Sequence, residues 1–256
     1  MSISIAIGDC LFKNLYPVYK PVYFLFKDWQ DATEIDLLKR HVSRGDVVLD
    51  IGANIGFYAA LLSRLTGHDG KVHCFEPDPL NFSRLEENCR SIGNIRLNRM
   101  AVGERTETLT LYSSNRLNVD HRTYRPDSYE KELSVPSVCI DDYLAENRRL
   151  DFIKMDIQGY ETQAIKGMQQ TIGVNRDVML LSEFWPYGLQ KSGSSATEYF
   201  DLLSDMGFIV DLIEKTGQTR LTREKVGGME KLSQKPDRYF NIFAVKGGLK
   251  EAGMIG

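Results

Sequence analysis

From about residue 45 onward, hydrophobic and polar positions fall into two alternating rhythms. VVLDI (47–51) is a short apolar run that enters a glycine-rich turn, and 57–65 then carries apolar residues at helical spacing. KVHCFEP (71–77) predicts a second strand, and 81–91 an amphipathic helix with Phe82, Leu85 and Cys89 on one face. NIRLNRMAV (94–102) reads as a third strand. DFIKMDI (151–157), a helix over 160–170, DVMLLSEF (177–184), a helix over about 196–206, FIVDLI (208–213) and RYFNIFAV (238–245) continue the pattern. Strands alternating with helices predict βαβ units and a mainly parallel sheet. The unbroken apolar character of VVLDI and VMLL fits strands covered on both faces.

Two regions break the rhythm. Residues 103–140 hold strand-like runs, TLTLY and SVPSVCI, around a polar loop at 113–133. A long loop inside a compact domain is often functional. The first 30 residues carry aromatics at 16, 19, 23, 24, 26 and 29, with Lys13, Lys20 and Lys27 among them. Pro17 and Pro21 are expected to interrupt any continuous helix there. This gives an N-terminal helical segment at 1–40 that packs on the domain, one sheet domain at 41–248 and a tail at 249–256.

Composition narrows the reading. Apolar residues make up 42% and charged residues 26% of the 256, so the chain has enough apolar surface to fold. Lysine plus arginine number 32 against 35 acidic residues, a net charge of -3, which argues against a nucleic-acid binder. No apolar run approaches the roughly 20 residues that span a bilayer. The N-terminus lacks the basic n-region and cleavage site of a signal peptide. The four cysteines form no C-x-x-C and read as reduced thiols, which points to the cytoplasm.

The turn Gly52-Ala53-Asn54-Ile55-Gly56 between strand and helix has the geometry of a nucleotide-type site. Glycines let a ligand approach the backbone, and the helix start offers free N–H groups. Glu76, at the end of the next strand, suits a ribose diol. A dinucleotide turn wants glycine where Asn54 stands, and Asp50 before the turn would repel a pyrophosphate. A ligand with a ribose, an ammonium and a carboxylate but no phosphate fits better, and S-adenosylmethionine is such a ligand.

VVLDIGANIGFYAALLS, HCFEPDPLNFSRLEEN and LDFIKMDIQGYETQAIKG together resemble the FkbM family of S-adenosylmethionine-dependent methyltransferases. AVGERTETLTLY, CIDDYL and LLSEFWPYGL fall where that family has similar segments, so the resemblance covers about 35–210. It implies a class I, Rossmann-like α/β fold: a seven-stranded, mainly parallel sheet with helices on both faces and the last strand antiparallel. It also implies methyl transfer, usually to a hydroxyl of a small molecule such as a sugar or natural product. Carried over by position, Asp50, Gly52, Ala53, Asn54, Gly56 and Phe57 form the cofactor turn. Glu76, followed by Pro77, holds the ribose, Met100 and Ala101 line the adenine slot, and Asp156 lies over the sulfonium. Many members have D-V-E-G where this chain has Asp156-Ile157-Gln158-Gly159, so a role for a glutamate at 158 does not transfer.

Transfer to an alcohol needs a group that removes its proton. Three places at the carboxyl end of the sheet offer one. The first is Asp156 with Glu161. The second is His121 in the polar loop, beside Asp120, Arg122, Tyr124 and Arg125. The loop balances Arg116, Arg122, Arg125 and Lys131 against Asp120, Asp127, Glu130 and Glu132, so it does not call for a charged acceptor. The third is Glu183, with Phe184 and Trp185 as possible pocket walls. The acidic residues are scattered over different strands, with no His/Cys cluster at ligand spacing, so no metal ligands are assigned and metal dependence stays open. The expected partner is a small-molecule hydroxyl acceptor, with no nucleic acid, no integral membrane segment, and a monomeric or homodimeric chain. Two other readings stay open: a nicotinamide (NAD) oxidoreductase on a similar sheet, and a protein that binds S-adenosylmethionine without transferring its methyl.

Overall fold

A computed structural model describes residues 3–113, 121–126, 129, 131–215 and 217–247. Most of the polar loop, including Asp120, and the tail at 249–256 lie outside the described residues. Eleven strands occur among them: β1 (Val47–Ile51), β2 (Lys71–Phe75), β3 (Ile95–Asn98), β4 (Ala101–Val102), β5 (Glu107–Ser113), β6 (Lys131–Val138), β7 (Phe152–Met155), β8 (Met179–Phe184), β9 (Phe208–Glu214), β10 (Gly217–Arg220) and β11 (Phe240–Lys246). The main sheet runs in the order β10-β9-β11-β8-β7-β1-β2-β3. β3, β2, β1, β7 and β8 are parallel, and β11 enters antiparallel between β8 and β9.

The sheet has eight strands rather than the seven expected. The added strand, β10, is the polar stretch GQTR paired antiparallel to β9 at the sheet edge. It has no apolar run because an edge strand buries little. The expected third strand, 94–102, is two strands. The chain leaves the main sheet after Asn98, and Ala101–Val102 joins β5 and β6 in a separate three-stranded sheet. The helix expected over 160–170 is also divided, into Glu161–Lys166 and Gln169–Val174. Gly167 lies at the break, where a Cβ would stand 2.0 Å from the Gly103 carbonyl oxygen.

The N-terminal region forms three helices, Ile3–Asn14, Tyr16–Gln30 and Ala32–His41. The expected interruption at Pro21 does not occur, for Pro21 lies inside the second helix. Pro17 falls in that helix's first turn, where no intrahelical donor is needed. Both prolines are exposed, so the carbonyl left without a donor by Pro21 is within reach of solvent.

Period-two alternation divides the core. In β1 and β7, Leu49, Ile51, Ile153 and Met155 pack on one face with Phe184, Tyr199 and Leu203. Val48 and Phe152 pack on the other with Leu38, Leu62 and Phe243. Asp50 and Lys154 follow Val48 and Phe152 by two residues, so they share that second face. They are also register partners across the β1–β7 pair.

The carboxyl end of β7 is locked to the helix after β8. Gly159 has φ +99, and a Cβ there would lie 2.2–2.6 Å from the backbone of Gly188. Gly159→Ala is therefore expected to cost about 3 kcal/mol or more, from strain plus overpacking. Gly173, in a helix and with open space around it, is expected to gain about 0.5–1 kcal/mol on the same change. Chemical denaturation of the two variants measures both, and equal responses would contradict the packing described.

Candidate active site

The β1 turn is shaped by close backbone approach. Gly52 has φ +80, and a Cβ on it would sit 2.0 Å from the Asp156 carbonyl oxygen at the end of β7. Asn54, at the position where a dinucleotide turn has glycine, adopts φ 50, a left-handed conformation that asparagine tolerates. Gly56, at φ 91, caps the helix Phe57–Thr66. A Cβ on Gly56 would meet Cys89 Sγ and Leu85 Cδ1 at 2.9 Å. Glu76 closes the other side. Its Oε2 accepts from the Asn54 N–H at 2.9 Å and its Oε1 from the Asp78 N–H at 2.9 Å. Burial outweighs these donors and pushes the Glu76 carboxyl up to about 8.

These elements enclose a cavity of about 110 Å³. Gly52, Ala53, Asn54, Phe57, Glu76, Pro77, Ala101 and Asp156, all expected at a cofactor site, line it. Met100, Val102 and Leu111 form an apolar slot at one end. A second cleft of about 920 Å³ lies alongside. Its far wall is built by β8 and β11 with Glu183, Trp185, Tyr239 and Asn241, and its near wall by the N-terminal helices. Tyr23, Lys27, Asn54, Tyr58, Lys154, Asp156 and Gln158 border both cavities. The two therefore meet over the carboxyl ends of β1 and β7, where open α/β sheets bind ligands.

Three expected site residues stand elsewhere than a direct ligand role requires. Asp50 is fully buried and lines neither cavity. It faces Lys154 Nζ at 3.6 Å. Gly56 lies behind the wall, against the helix Pro79–Cys89. His121 lines the first cavity and not the second, with Nε2 3.9 Å from Asp78 Oδ2. Asp78 also caps the helix Pro79–Cys89 through the Leu80 and Asn81 N–H groups, so His121 is tied to the cofactor side of the wall. Its neighbour Arg122 lines the second cleft, as successive residues of an extended segment point opposite ways. Arg122 is held by the antiparallel bridge to Tyr112, and its guanidinium lies over the Trp185 ring at 5.2 Å. Trp185, packed between Arg122 and Gly188, lines the second cleft as expected, whereas Phe184 is buried in the core and lines neither cavity.

Lys154, which the sequence reading did not single out, is buried and borders both cavities. Its ammonium lies within 3.4 Å of the Gly52 carbonyl oxygen and 4.8 Å from the Tyr58 ring centroid. Burial alone would lower its pKa, but Asp50, Asp156 and Asp31 together hold it above the usual lysine value. A charged residue inside the apolar run DFIKM was the available signal. The N-terminal helices add Tyr23, Lys27 and Asp31. Tyr58 donates to Asp31 Oδ2 at 2.6 Å, and Lys27 pairs with the same carboxylate. Glu161 is fully buried and accepts from the Ile157 and Gly159 N–H groups, so it braces the turn. Burial and the nearby Asp156 raise its carboxyl to about 7. Gln158, at φ 57, turns its amide to the two remaining acids: Nε2 donates to Asp156 Oδ1 at 3.0 Å and to Glu183 Oε2 at 3.4 Å.

A model of the FkbM methyltransferase domain matches residues 50–210, which hold the parallel part of this sheet and most of the lining of the first cavity. The chain belongs to the FkbM methyltransferase family. In this family the donor is S-adenosylmethionine, which decides against the nicotinamide reading. The chain is 29% identical over 147 residues to the 2-O-methyltransferase NoeI of Sinorhizobium fredii, covering 51% of this chain and 60% of that protein. It is 28% identical over 142 residues to the hexuronic acid methyltransferase AglP of Haloferax volcanii, covering 54% and 56%. The chain thus spans less than two thirds of the length of either relative. A crystal structure of an rRNA methylase-like protein from Clostridium thermocellum superposes with a TM-score of 0.52 at 12% identity, over 84% of this chain and 94% of that one. At that identity the likeness concerns the fold alone. The last strand lies antiparallel in this sheet, as the class I fold requires.

The Asp50–Lys154 pair makes a direct test. Lys154→Met leaves a buried carboxylate uncompensated and is expected to cost about 3–5 kcal/mol. Asp50→Leu combined with Lys154→Met is expected to recover most of that loss. A double-mutant cycle from denaturant unfolding reads the difference, and additive losses would mean that the two charges do not interact.

Proposed function

We infer that this chain transfers a methyl group from S-adenosylmethionine to a hydroxyl of a sugar. The observation that carries this reading is the wall shared by the two cavities, with Asp156 on it. A donor in the first cavity and an acceptor in the second meet there and nowhere else among the described residues. The printed activities of the two relatives, a 2-O-methyltransferase and a hexuronic acid methyltransferase, support a sugar acceptor.

The residues present fit the donor. Gly52 lets the turn close against the Asp156 carbonyl, where any side chain would clash, and Glu76 offers a buried carboxylate to the two ribose hydroxyls. Met100, Ala101 and Val102 provide an apolar slot of the kind an adenine ring needs. S-adenosylmethionine, when bound, supplies a methyl group already activated on a sulfonium. The protein's part is alignment and removal of the acceptor's proton. Asp156 stands at the junction and accepts that proton. Glu183, on the cleft side only, orients the acceptor by accepting from a second hydroxyl. His121 is a cofactor-side residue in this reading, not the base. Lys154 stays an ammonium and neutralises Asp50, which keeps the turn and the end of β7 together.

Asp156→Asn is expected to lower kcat by about 10²–10⁴. Binding of S-adenosylhomocysteine, measured by calorimetry, should persist in that variant. Mass spectrometry of a panel of free sugars and nucleotide sugars incubated with S-adenosylmethionine identifies the acceptor. Binding without transfer to any hydroxyl would favour a non-catalytic cofactor-binding protein.

Glu76 gives the binding a pH dependence with a fixed sign. Its folded-state pKa, about 8, lies above the ordinary 4.5, so the unliganded protein is expected to lose stability as pH rises from 4.5 to 8. Ribose hydroxyls donate to the ionised carboxylate and favour it. Cofactor affinity should therefore rise with pH up to about 8, with release of a proton on binding. Calorimetry in buffers of different ionisation enthalpy measures that proton, and affinity independent of pH would remove Glu76 from the ribose site.

A further inference from the structure

The helix Tyr16–Gln30 turns two apolar faces in different directions. Tyr16, Tyr19 and Tyr23 pack inward, with Phe12 and Ile55. On the outer side Val18, Val22, Leu25 and Trp29 fall on one stripe, flanked by Phe26. These five side chains are between 51% and 78% exposed. An exposed, contiguous apolar stripe of this kind marks an interaction surface. No charged residue falls within it, and the exposed Asp28 flanks it beside Leu25. Lys20 and Lys27 lie on the other side of the helix, over the rings of Phe24 and Tyr58, and Lys27 is paired with Asp31.

The position of the stripe selects its partner. Val22 and Phe26 belong both to the stripe and to the lining of the second cleft, and Tyr239, 56% exposed, stands on the cleft's opposite side. A second copy of the chain, or any rigid protein, seated on the stripe would cover the mouth of that cleft. A fluid apolar partner can cover the stripe and still deliver molecules to the mouth. Trp29, the most exposed of the five, is of the residue type that settles at a membrane–water interface. We propose that the helix Tyr16–Gln30 docks this protein on a lipid surface through Val18, Val22, Leu25, Phe26 and Trp29, with the cleft mouth facing the headgroup layer. No described helix is long and apolar enough to cross a membrane, so the contact is in the plane of the interface. The acceptor is then a sugar carried on a lipid. That consequence rests on the methyltransferase reading given above, but the docking does not.

The test is co-sedimentation of the full chain with phosphatidylcholine vesicles, with and without a minority of phosphatidylglycerol. Because the stripe is apolar and uncharged, association is expected with both kinds of vesicle, together with a blue shift of Trp29 emission. Leu25→Glu combined with Trp29→Glu, both at exposed positions, is expected to weaken association more than tenfold. Calorimetric binding of S-adenosylhomocysteine should be unchanged in that variant, which confirms that it is folded. Several results would overturn the proposal: no association of the wild-type chain, association unaffected by the two substitutions, or association with anionic vesicles alone. A stable dimer in solution that Leu25→Glu dissociates would also overturn it, because a second copy would then cover the stripe. None of these readouts uses methyl transfer, so failure of the docking and failure of the proposed activity are told apart.

Discussion

A buried ion pair between neighbouring strands holds the centre of this molecule. Asp50 on β1 and Lys154 on β7 stand opposite one another in register, on a face otherwise packed with aliphatic and aromatic side chains. Neither charge could be left there alone, since an uncompensated buried charge costs several kcal/mol. Their pairing has a positional consequence. Asp50 is two residues before Gly52, and Lys154 is two before Asp156. The pair therefore fixes, from below, the two strand ends whose backbones touch at Gly52 and the Asp156 carbonyl. The glycine turn, the carboxylate at the junction and the shared wall of the two cavities all stand on that contact.

Backbone N–H groups of the turns hold two of the buried acids around the junction. Glu161 takes two backbone N–H groups of the segment after β7, and Glu76 takes one from the β1 turn and one from the start of the next helix. Two acids that would otherwise repel, Asp156 and Glu183, share the amide of Gln158. A glutamate at 158, common in relatives, would place a third negative charge where this chain has a donor. In this chain the amide instead bridges the two acids beside the second cleft.

Much of the fold was legible because strands covered on both faces must be apolar, and VVLDI, KVHCF and VMLL are so. The edge strand β10 was not, since GQTR has no face to bury. The helix containing Pro21 was not, since the penalty for a proline depends on whether solvent reaches the freed carbonyl. For the site, the spacing of Gly52, Asn54 and Glu76 pointed to residues that line one cavity together. Asp50 misled, because an acid next to a ligand turn can point down into the core as readily as up, and only the alternation shared with Lys154 distinguishes them. The placing of His121 on the first cavity was not legible either. Its side of the wall depends on the bridge between Arg122 and Tyr112, a pairing between segments that a single sequence does not relate. The contribution of the N-terminal helices to both cavities came from tertiary packing alone.

The shared wall also bears on how such a protein can change over evolutionary time. Seven residues border both cavities, so on the proposed reading a substitution at any of them enters the binding of donor and acceptor together. Glu183, Tyr239 and Asn241 border the cleft alone, as do Val22 and Phe26 on the opposite wall. On that reading, new acceptor preferences can arise at β8, β11 and the N-terminal helix without disturbing the donor.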